Sequence, residues 1–154
     1  MLEIVKAKKI TTEIAGAYFV NGKAQMLFAN YKQAVSFFDK ALAKLSLVKK
    51  AQRGEWLTNL GKAKYLKGEK EKGLNMIFKG IHQLKKHSGD IDGYTFNIWL
   101  SGAYLRLAEI LKQDRPTESA NYLKQARTII QPDAKQIIRK KQLANFVKSG
   151  LSGI

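Results

Sequence analysis

The 154-residue sequence predicts an all-α protein built of packed helical hairpins, and three observations carry that prediction. Strong helix formers (Ala, Leu, Lys, Gln, Glu) dominate, and β-branched runs of strand length are absent. Only two prolines interrupt the chain, Pro116 and Pro132, each where a helix can begin. Small and bulky residues also recur in one order. Tyr18, Gly22, Ala34, Phe38 and Ala41 come first; Leu57, Leu60, Gly61, Gly68, Gly73, Ile77 and Gly80 follow; Ile98, Gly102, Leu123, Ala126 and Pro132 form a looser third copy. A small residue where two helices touch, with a bulky one filling the space beside it, is how stacked hairpins pack. Arrays of this kind hold partners more often than they perform chemistry.

Apolar periodicity of 3.6 residues and local stop signals predict seven helices. The first covers about residues 12–29, with an N-terminal extension through Ile4, Val5 and Ile10, and its apolar positions Ile14, Ala17, Tyr18, Ala24, Leu27 and Phe28 form a stripe. Asn30 breaks it. The second, about 31–47, turns Ala34, Val35, Phe38, Ala41, Leu42 and Leu45 inward. The third runs from about 50 to 67 and stops at Gly68, which tolerates the left-handed conformation of a helix end. The fourth, about 70–87, carries Leu74, Ile77, Phe78, Ile81 and Leu84 at core spacing and stops at Gly89. Asp90 or Asp92 caps the fifth, which passes through Trp99 and Tyr104 to about Lys112. Pro116 opens the sixth, about 116–130, and Pro132-Asp133 the seventh, which reaches about Gly150 before Leu151 to Ile154 fray. Short connections make neighbours antiparallel. The expectation is one domain over residues 1–154, with hairpins at about 12–47, 50–87 and 92–130 and a capping helix at about 133–150.

The chain has no cysteine, which excludes a disulfide framework, Cys-based zinc sites and a thiol nucleophile. No apolar stretch approaches the ~20 residues of a membrane helix. The N-terminal segment lacks the apolar core and small-residue cleavage site of a signal peptide, so a cytoplasmic location is expected. The formal charge is +16, divided as +6 over residues 1–50, +4 over 51–100 and +6 over 101–154. An excess of this size attracts nucleic acid, anionic surfaces or acidic protein segments, and it also solvates helix faces.

The hairpin pattern resembles the tetratricopeptide repeat (TPR) family. Tyr18, Gly22, Ala34, Phe38 and Ala41 match one repeat, with Ala29-Asn30-Tyr31 as its turn. Leu57, Leu60, Gly61 and Gly68 match a second, in which Gly73 and Gly80 stand where the family has alanines. Ile98, Gly102, Leu123 and Ala126, closed by Pro132-Asp133, match a third. Ala41 and Gly80 lie 39 residues apart and Gly80 and Ala126 lie 46 apart, so the repeats exceed the family's 34, through longer helices or insertions near 47–52 and 111–117. The resemblance implies a right-handed superhelix of three hairpins with a solvating cap.

It also implies a concave groove lined by the first helix of each hairpin. Carried over, the groove positions are Phe19, Lys23, Met26 and Leu27; Glu55, Asn59, Lys62, Tyr65 and Leu66; and Phe96, Trp99, Ala103 and Arg106. Phe19, Lys23, Asn59, Lys62, Tyr65, Trp99 and Arg106 then form the expected partner site, and the mixture of cations and aromatics suits an acidic or amphipathic protein segment. The same rings also suit packing between repeats. The carboxylate clamp of chaperone-binding members falls on Phe19, Lys23, Asn59, Phe96 and Leu100, where only Asn59 matches in kind. Binding of chaperone tails by that clamp is not expected.

A second reading assigns the charge to nucleic acid or an anionic surface through Lys135, Arg139, Lys140, Lys141 and Lys148, although no recognition motif accompanies them. The last helix carries a stripe of Ile137, Ala144, Val147 and Leu151, with Ile138, Leu143 and Phe146 partly off it, so self-association is a third reading. Nothing points to catalysis, a cofactor or a metal. His82 and His87 are five residues apart and do not share a helix face, Asp90 and Asp92 read as cap and turn residues, and Ser36 and Ser101 have no base in sight.

Overall fold

The computed structural model describes residues 2–46 and 49–151, which form seven α-helices and one 3₁₀ turn with no strand among them. The helices are α1 (Leu2–Leu27), α2 (Tyr31–Lys44), α3 (Lys50–Lys67), α4 (Lys70–Lys86), α5 (Gly93–Leu111), α6 (Pro116–Ile130) and α7 (Ile137–Leu151), and the 3₁₀ turn is Ser88–Asp90. The all-α class is as the sequence predicts. The chain divides into two compact units, the first ending at Asp90 and the second beginning at Ile91.

In the first unit, α1 and α2 form a hairpin closed by Ala29, whose φ of 55° lets the chain reverse within three residues. Phe38 of α2 lies flat on Gly22 of α1. A Cβ at Gly22 would sit 2.6 Å from that ring, so any larger residue would force the buried ring to shift. Ala15, Ala34, Val35, Phe38, Ala41, Leu42 and Leu45 share one apolar cluster with Trp56, Leu57, Leu60 and Ala63 of α3. Across it, Phe19 and Trp56 stack at 4.5 Å with planes 9° apart.

The opposite side of α3 meets α4 by a different device. A Cβ at Gly54 would lie 2.7 Å from the carbonyl oxygen of Gly80, and one at Gly80 would lie 2.6 Å from that of Gly54. Gly61 and Gly73 repeat the arrangement, each 2.6 Å from the other's oxygen. Each helix spaces its two glycines seven residues apart, two helical turns, so an antiparallel pair meets backbone to backbone at both crossings. Gly73 and Gly80, which depart from the alanines of the family pattern, are therefore required by their partners on α3. Leu74, Ile77, Ile81 and Leu84 fill the seam around them.

As a result α3 is buried over eight consecutive residues, 54–61, and hence around its whole circumference. The polar side chains within that stretch are satisfied locally. Asn59 Nδ2 donates to Glu55 Oε1 at 3.0 Å, and Thr58 Oγ1 donates to the Glu55 carbonyl at 2.7 Å and to its Oε2 at 3.3 Å. Gly68 ends α3 at φ 111°, donating its N–H to Tyr65 O at 3.0 Å.

In the second unit α5 and α6 form the hairpin. Ser119 Oγ donates to the carbonyl of Ala108 at 2.6 Å, tying the start of α6 to α5, while Tyr104 and Tyr122 stack at 6.2 Å. Asp92, rather than Asp90, caps α5: Oδ1 accepts from Thr95 N–H at 2.8 Å and Oδ2 from the Thr95 hydroxyl at 2.7 Å. Those bonds, the hydroxyl's foremost, hold the Asp92 carboxyl below the usual carboxylate range.

Several boundaries differ from expectation. The first helix starts at Leu2 and takes in the whole apolar extension, and with 26 residues against 14 in α2 it runs about 18 Å past its partner at 1.5 Å per residue. The second helix ends at Lys44, because Leu45 turns extended (ψ 130°) while its N–H still reaches Ala41 O. The expected end near residue 47 lies outside the described residues. Pro132-Asp133 does not open a helix, and α7 begins at Ile137. Asp133 Oδ1 accepts from the N–H of Lys135 at 2.9 Å and Oδ2 from Gln136 Nε2 at 3.2 Å, a local turn that competes with helical bonding. Helix α7 takes in Leu151, one residue into the segment expected to fray, and the rest of that expectation falls on residues 152–154, outside the described residues.

The two kinds of helical glycine predict opposite substitution effects. Gly61→Val, which drives side-chain atoms into the α4 backbone, lowers the unfolding free energy by about 2–3 kcal/mol. Gly16, with open space around its Cα, gains from alanine: Gly16→Ala raises stability by about 0.5–1 kcal/mol. Urea midpoints at unchanged m-value measure both, and equal shifts for the two variants would contradict the packing described.

Candidate functional site

The expected partner residues separate into four environments. Phe19 is half-buried, held between Trp56 and the ring of Phe38 at 5.5 Å, and Lys23 is exposed one turn on with Nζ 5.9 Å from the Phe19 centroid. Val20 and Leu27 stand on the same side of α1 as Lys23, at i−3 and i+4 from it. They are 65% and 87% exposed, although both are large and apolar. The stretch of α1 from Ile14 to Leu27 contains no carboxylate. This side of α1 is thus a strip of uncovered hydrocarbon with a cation at its centre, flanked by Phe19 and Gly22, which fix the helix to α3 and α2.

On α3, Lys62 is half-buried and Leu66 exposed, both on the side that also carries Glu55 and Asn59. Asn59 is buried and its amide nitrogen is taken by Glu55, whose carbonyl it also reaches at 3.0 Å. Tyr65 belongs to a different place. Its backbone faces Gly73, it is buried, and Lys70 Nζ covers its ring at 5.6 Å from the centroid, so it closes the seam with α4. Trp99 and Arg106 stand half-buried on α5 of the second unit, two turns apart on one side with Ala103 between them.

The alternative basic cluster is also divided. Arg139 is a fastening group. Its guanidinium occupies the space a Cβ on Gly102 would need, Nε donates to Ile98 O at 3.2 Å, and one terminal nitrogen donates to Gln142 Oε1 at 2.6 Å. Among the described side chains of α7, Leu143 is the buried apolar one, while Ile137 and Ile138 of the expected stripes are 60% and 73% exposed, so the docked side of α7 is that of Arg139 and Leu143. Lys112 Nζ adds contacts to the Phe146 ring (5.0 Å) and to Ser149 Oγ (3.1 Å). Lys135 lies in the turn before α7 and its carbonyl accepts from Tyr94 OH at 3.4 Å. Lys141 is exposed.

Lys140 and Lys148 line an open cleft of about 550 Å³ between α6 and α7 that borders that docked side at Leu143. Arg127 of α6 and Gln131, the residue after that helix, line it, and Leu143, Ala144 and Val147 form its apolar floor. The sequence reading singled out the α7 residues Ala144, Val147, Lys140 and Lys148 but not Arg127 or Gln131. An arginine four residues before a glutamine, at the end of a short amphipathic helix, carries no signal until a second helix lies beside it.

Among the described residues no three His, Cys, Asp or Glu side chains gather to hold a metal ion, and no helix is long and apolar enough to cross a membrane. Ser101 is buried and donates to the Ile98 carbonyl at 3.2 Å and to Gln136 Oε1 at 3.5 Å, while His87 Nδ1 lies 3.6 Å from Asp90 Oδ2. Neither arrangement pairs a nucleophile with a base. No family model, curated protein or solved structure matches the chain.

The fastening role of Arg139 has a direct consequence. Arg139→Ala loosens α7 from α5 and speeds tryptic cleavage after Lys140 and Lys141 by about tenfold, the equivalent of one charge-assisted hydrogen bond. Lys141→Ala, at an exposed position, removes a cleavage point without accelerating the other. Equal cleavage rates in wild type and Arg139→Ala would show that the guanidinium does not hold the helix.

Proposed function

We infer that this chain is a non-catalytic interaction scaffold, TPR-like in build, whose first unit binds an acidic, amphipathic protein segment along α1 and α3. The observation that carries the reading is the strip of Val20, Lys23 and Leu27, apolar and uncovered on a stretch of helix that Phe19 and Gly22 anchor to α3 and α2. Contiguous exposed apolar side chains bordered by polar groups mark interaction surfaces. Lys62 and Leu66 repeat the combination on α3, and Trp99 with Arg106 offers a separate aromatic–cation pair in the second unit.

The mechanism is recognition by a surface already in its bound shape. Stacking of Phe19 on Trp56 and seating of Phe38 on Gly22 fix α1, so little ordering cost is added when a segment docks. Aliphatic or aromatic side chains of the partner cover Val20 and Leu27, and its carboxylates meet Lys23 and Lys62. The basic excess of the whole chain accelerates encounter with an acidic partner and makes the rate fall with salt. A buried Glu55, engaged by Thr58 and Asn59, is the only carboxylate of α3.

Selection from a random 15-residue peptide library tests the reading. Enriched peptides combine Asp or Glu with Leu, Ile, Phe or Trp, and the double substitution Lys23→Glu with Leu27→Ser weakens the selected peptides by at least tenfold, about 1.4 kcal/mol, at unchanged helicity. Selection of basic peptides, or affinity indifferent to the double substitution, would overturn it. So would binding of generic RNA that outcompetes every peptide and falls steeply with salt.

A further inference from the structure

The cleft between α6 and α7 differs in chemistry from the α1–α3 face and lies in the other unit, so what it binds is independent of the reading above. Its lining combines three cations, Arg127, Lys140 and Lys148, with a floor of Leu143, Ala144 and Val147. No Asp or Glu is among the lining residues. From residue 119 to the end the chain has seven Lys and Arg and one carboxylate, Asp133. That carboxylate is taken up in its own turn by the Lys135 N–H and the Gln136 amide. The field at the cleft is accordingly positive while its base is hydrocarbon.

We propose that this cleft binds a single-chain anionic amphiphile, a fatty carboxylate or monoalkyl phosphate. The volume of about 550 Å³ falls within the ~300–1,000 Å³ usual for small-molecule sites, which are mostly apolar with a few placed polar groups. The head group takes the planar fork of Arg127 and the ammonium of Lys140, with the Gln131 amide as a further donor. The alkyl chain lies along Leu143, Ala144 and Val147, which follow one another at i, i+1 and i+4 on α7. Nucleic acid makes poor use of such a place. Its phosphates reward cations but not an aliphatic floor, and Arg139, the arginine of the densest basic run, is turned to α5 instead. Lysine stems extend the apolar wall while their ammonium groups reach the rim.

Titration calorimetry on the full chain, with probes below their micelle concentrations, tests this. Dodecanoate binds, and at least tenfold more tightly than octanoate, since each methylene withdrawn from water is worth about fourfold (about 0.8 kcal/mol). Inorganic phosphate and dodecyltrimethylammonium bind at least tenfold more weakly than dodecanoate. Arg127→Glu with Lys140→Glu, and separately Ala144→Glu, each reduce dodecanoate affinity at least tenfold with unchanged circular dichroism. Lys124→Glu, an exposed α6 cation outside the lining, leaves it within twofold. The proposal is overturned if dodecanoate does not bind, if chain length has no effect, if the cationic amphiphile binds equally, or if Lys124→Glu weakens binding as much as the cleft variants. It is also overturned if a thymidine oligonucleotide binds more tightly than dodecanoate and loses that affinity in the cleft variants.

Discussion

Helices α3 and α4 approach until their backbones touch, and the approach is possible because four residues there have no Cβ. Gly54 faces Gly80 and Gly61 faces Gly73 with carbonyl oxygens about where side chains would begin. Four glycines in helix interiors cost roughly 1 kcal/mol each in propensity. Close backbone contact offsets that cost through dispersion over a long seam, and through Cα–H···O contacts of the kind found where helices meet tightly. The outcome is a central helix buried on every side from Gly54 to Gly61. Because α3 is fixed, Trp56 is fixed; because Trp56 is fixed, Phe19 has a flat surface to stack on, and α1 presents Val20, Lys23 and Leu27 in one orientation.

The second unit uses a glycine in another way. At Gly102 the missing Cβ admits an arginine side chain from α7 in place of a neighbouring backbone. A guanidinium seated over α5 and bonded to the Ile98 carbonyl holds α7 with a polar group where a cap helix would ordinarily rely on leucines. One consequence is that α7 keeps much of its hydrocarbon for other uses. Ile137 and Ile138 remain exposed, while Val147 and Ala144 line a cleft with Lys140 and Lys148. The same basic run, Arg139-Lys140-Lys141, thereby serves structure at its first residue, a cleft at its second and solvent at its third.

Much of the fold was legible because helix ends are written locally. Gly68, Asp92 and Pro116 act through their own backbone or side chain within a few residues, and each stands where the sequence places a boundary. Pro132-Asp133 misled for a related reason: Asp133 can cap a helix or close a turn, and the choice depends on Gln136, which is buried beside Ser101 far away in sequence. The glycine repeat was visible, yet its meaning was not, since a glycine seven residues after another reads as weak propensity until the matching pair on α4 is opposite. Site residues were the least legible. Tyr65 and Lys62 are three apart on one helix, but which of them meets α4 is decided by Gly61 and Gly73, and no spacing rule distinguishes Arg139 from Lys140 until α5 and α6 are in place.

The most direct test of this account is amide hydrogen exchange, residue by residue, on the intact chain. If the glycine crossings anchor the first unit, amides 54–61 exchange only through global unfolding and are the slowest in the molecule. Those of residues 3–10, on the part of α1 that outruns α2, exchange orders of magnitude faster. Protection at 54–61 no greater than at 3–10 would mean that α3 is not the fixed centre, and the surface built upon it would lose its basis.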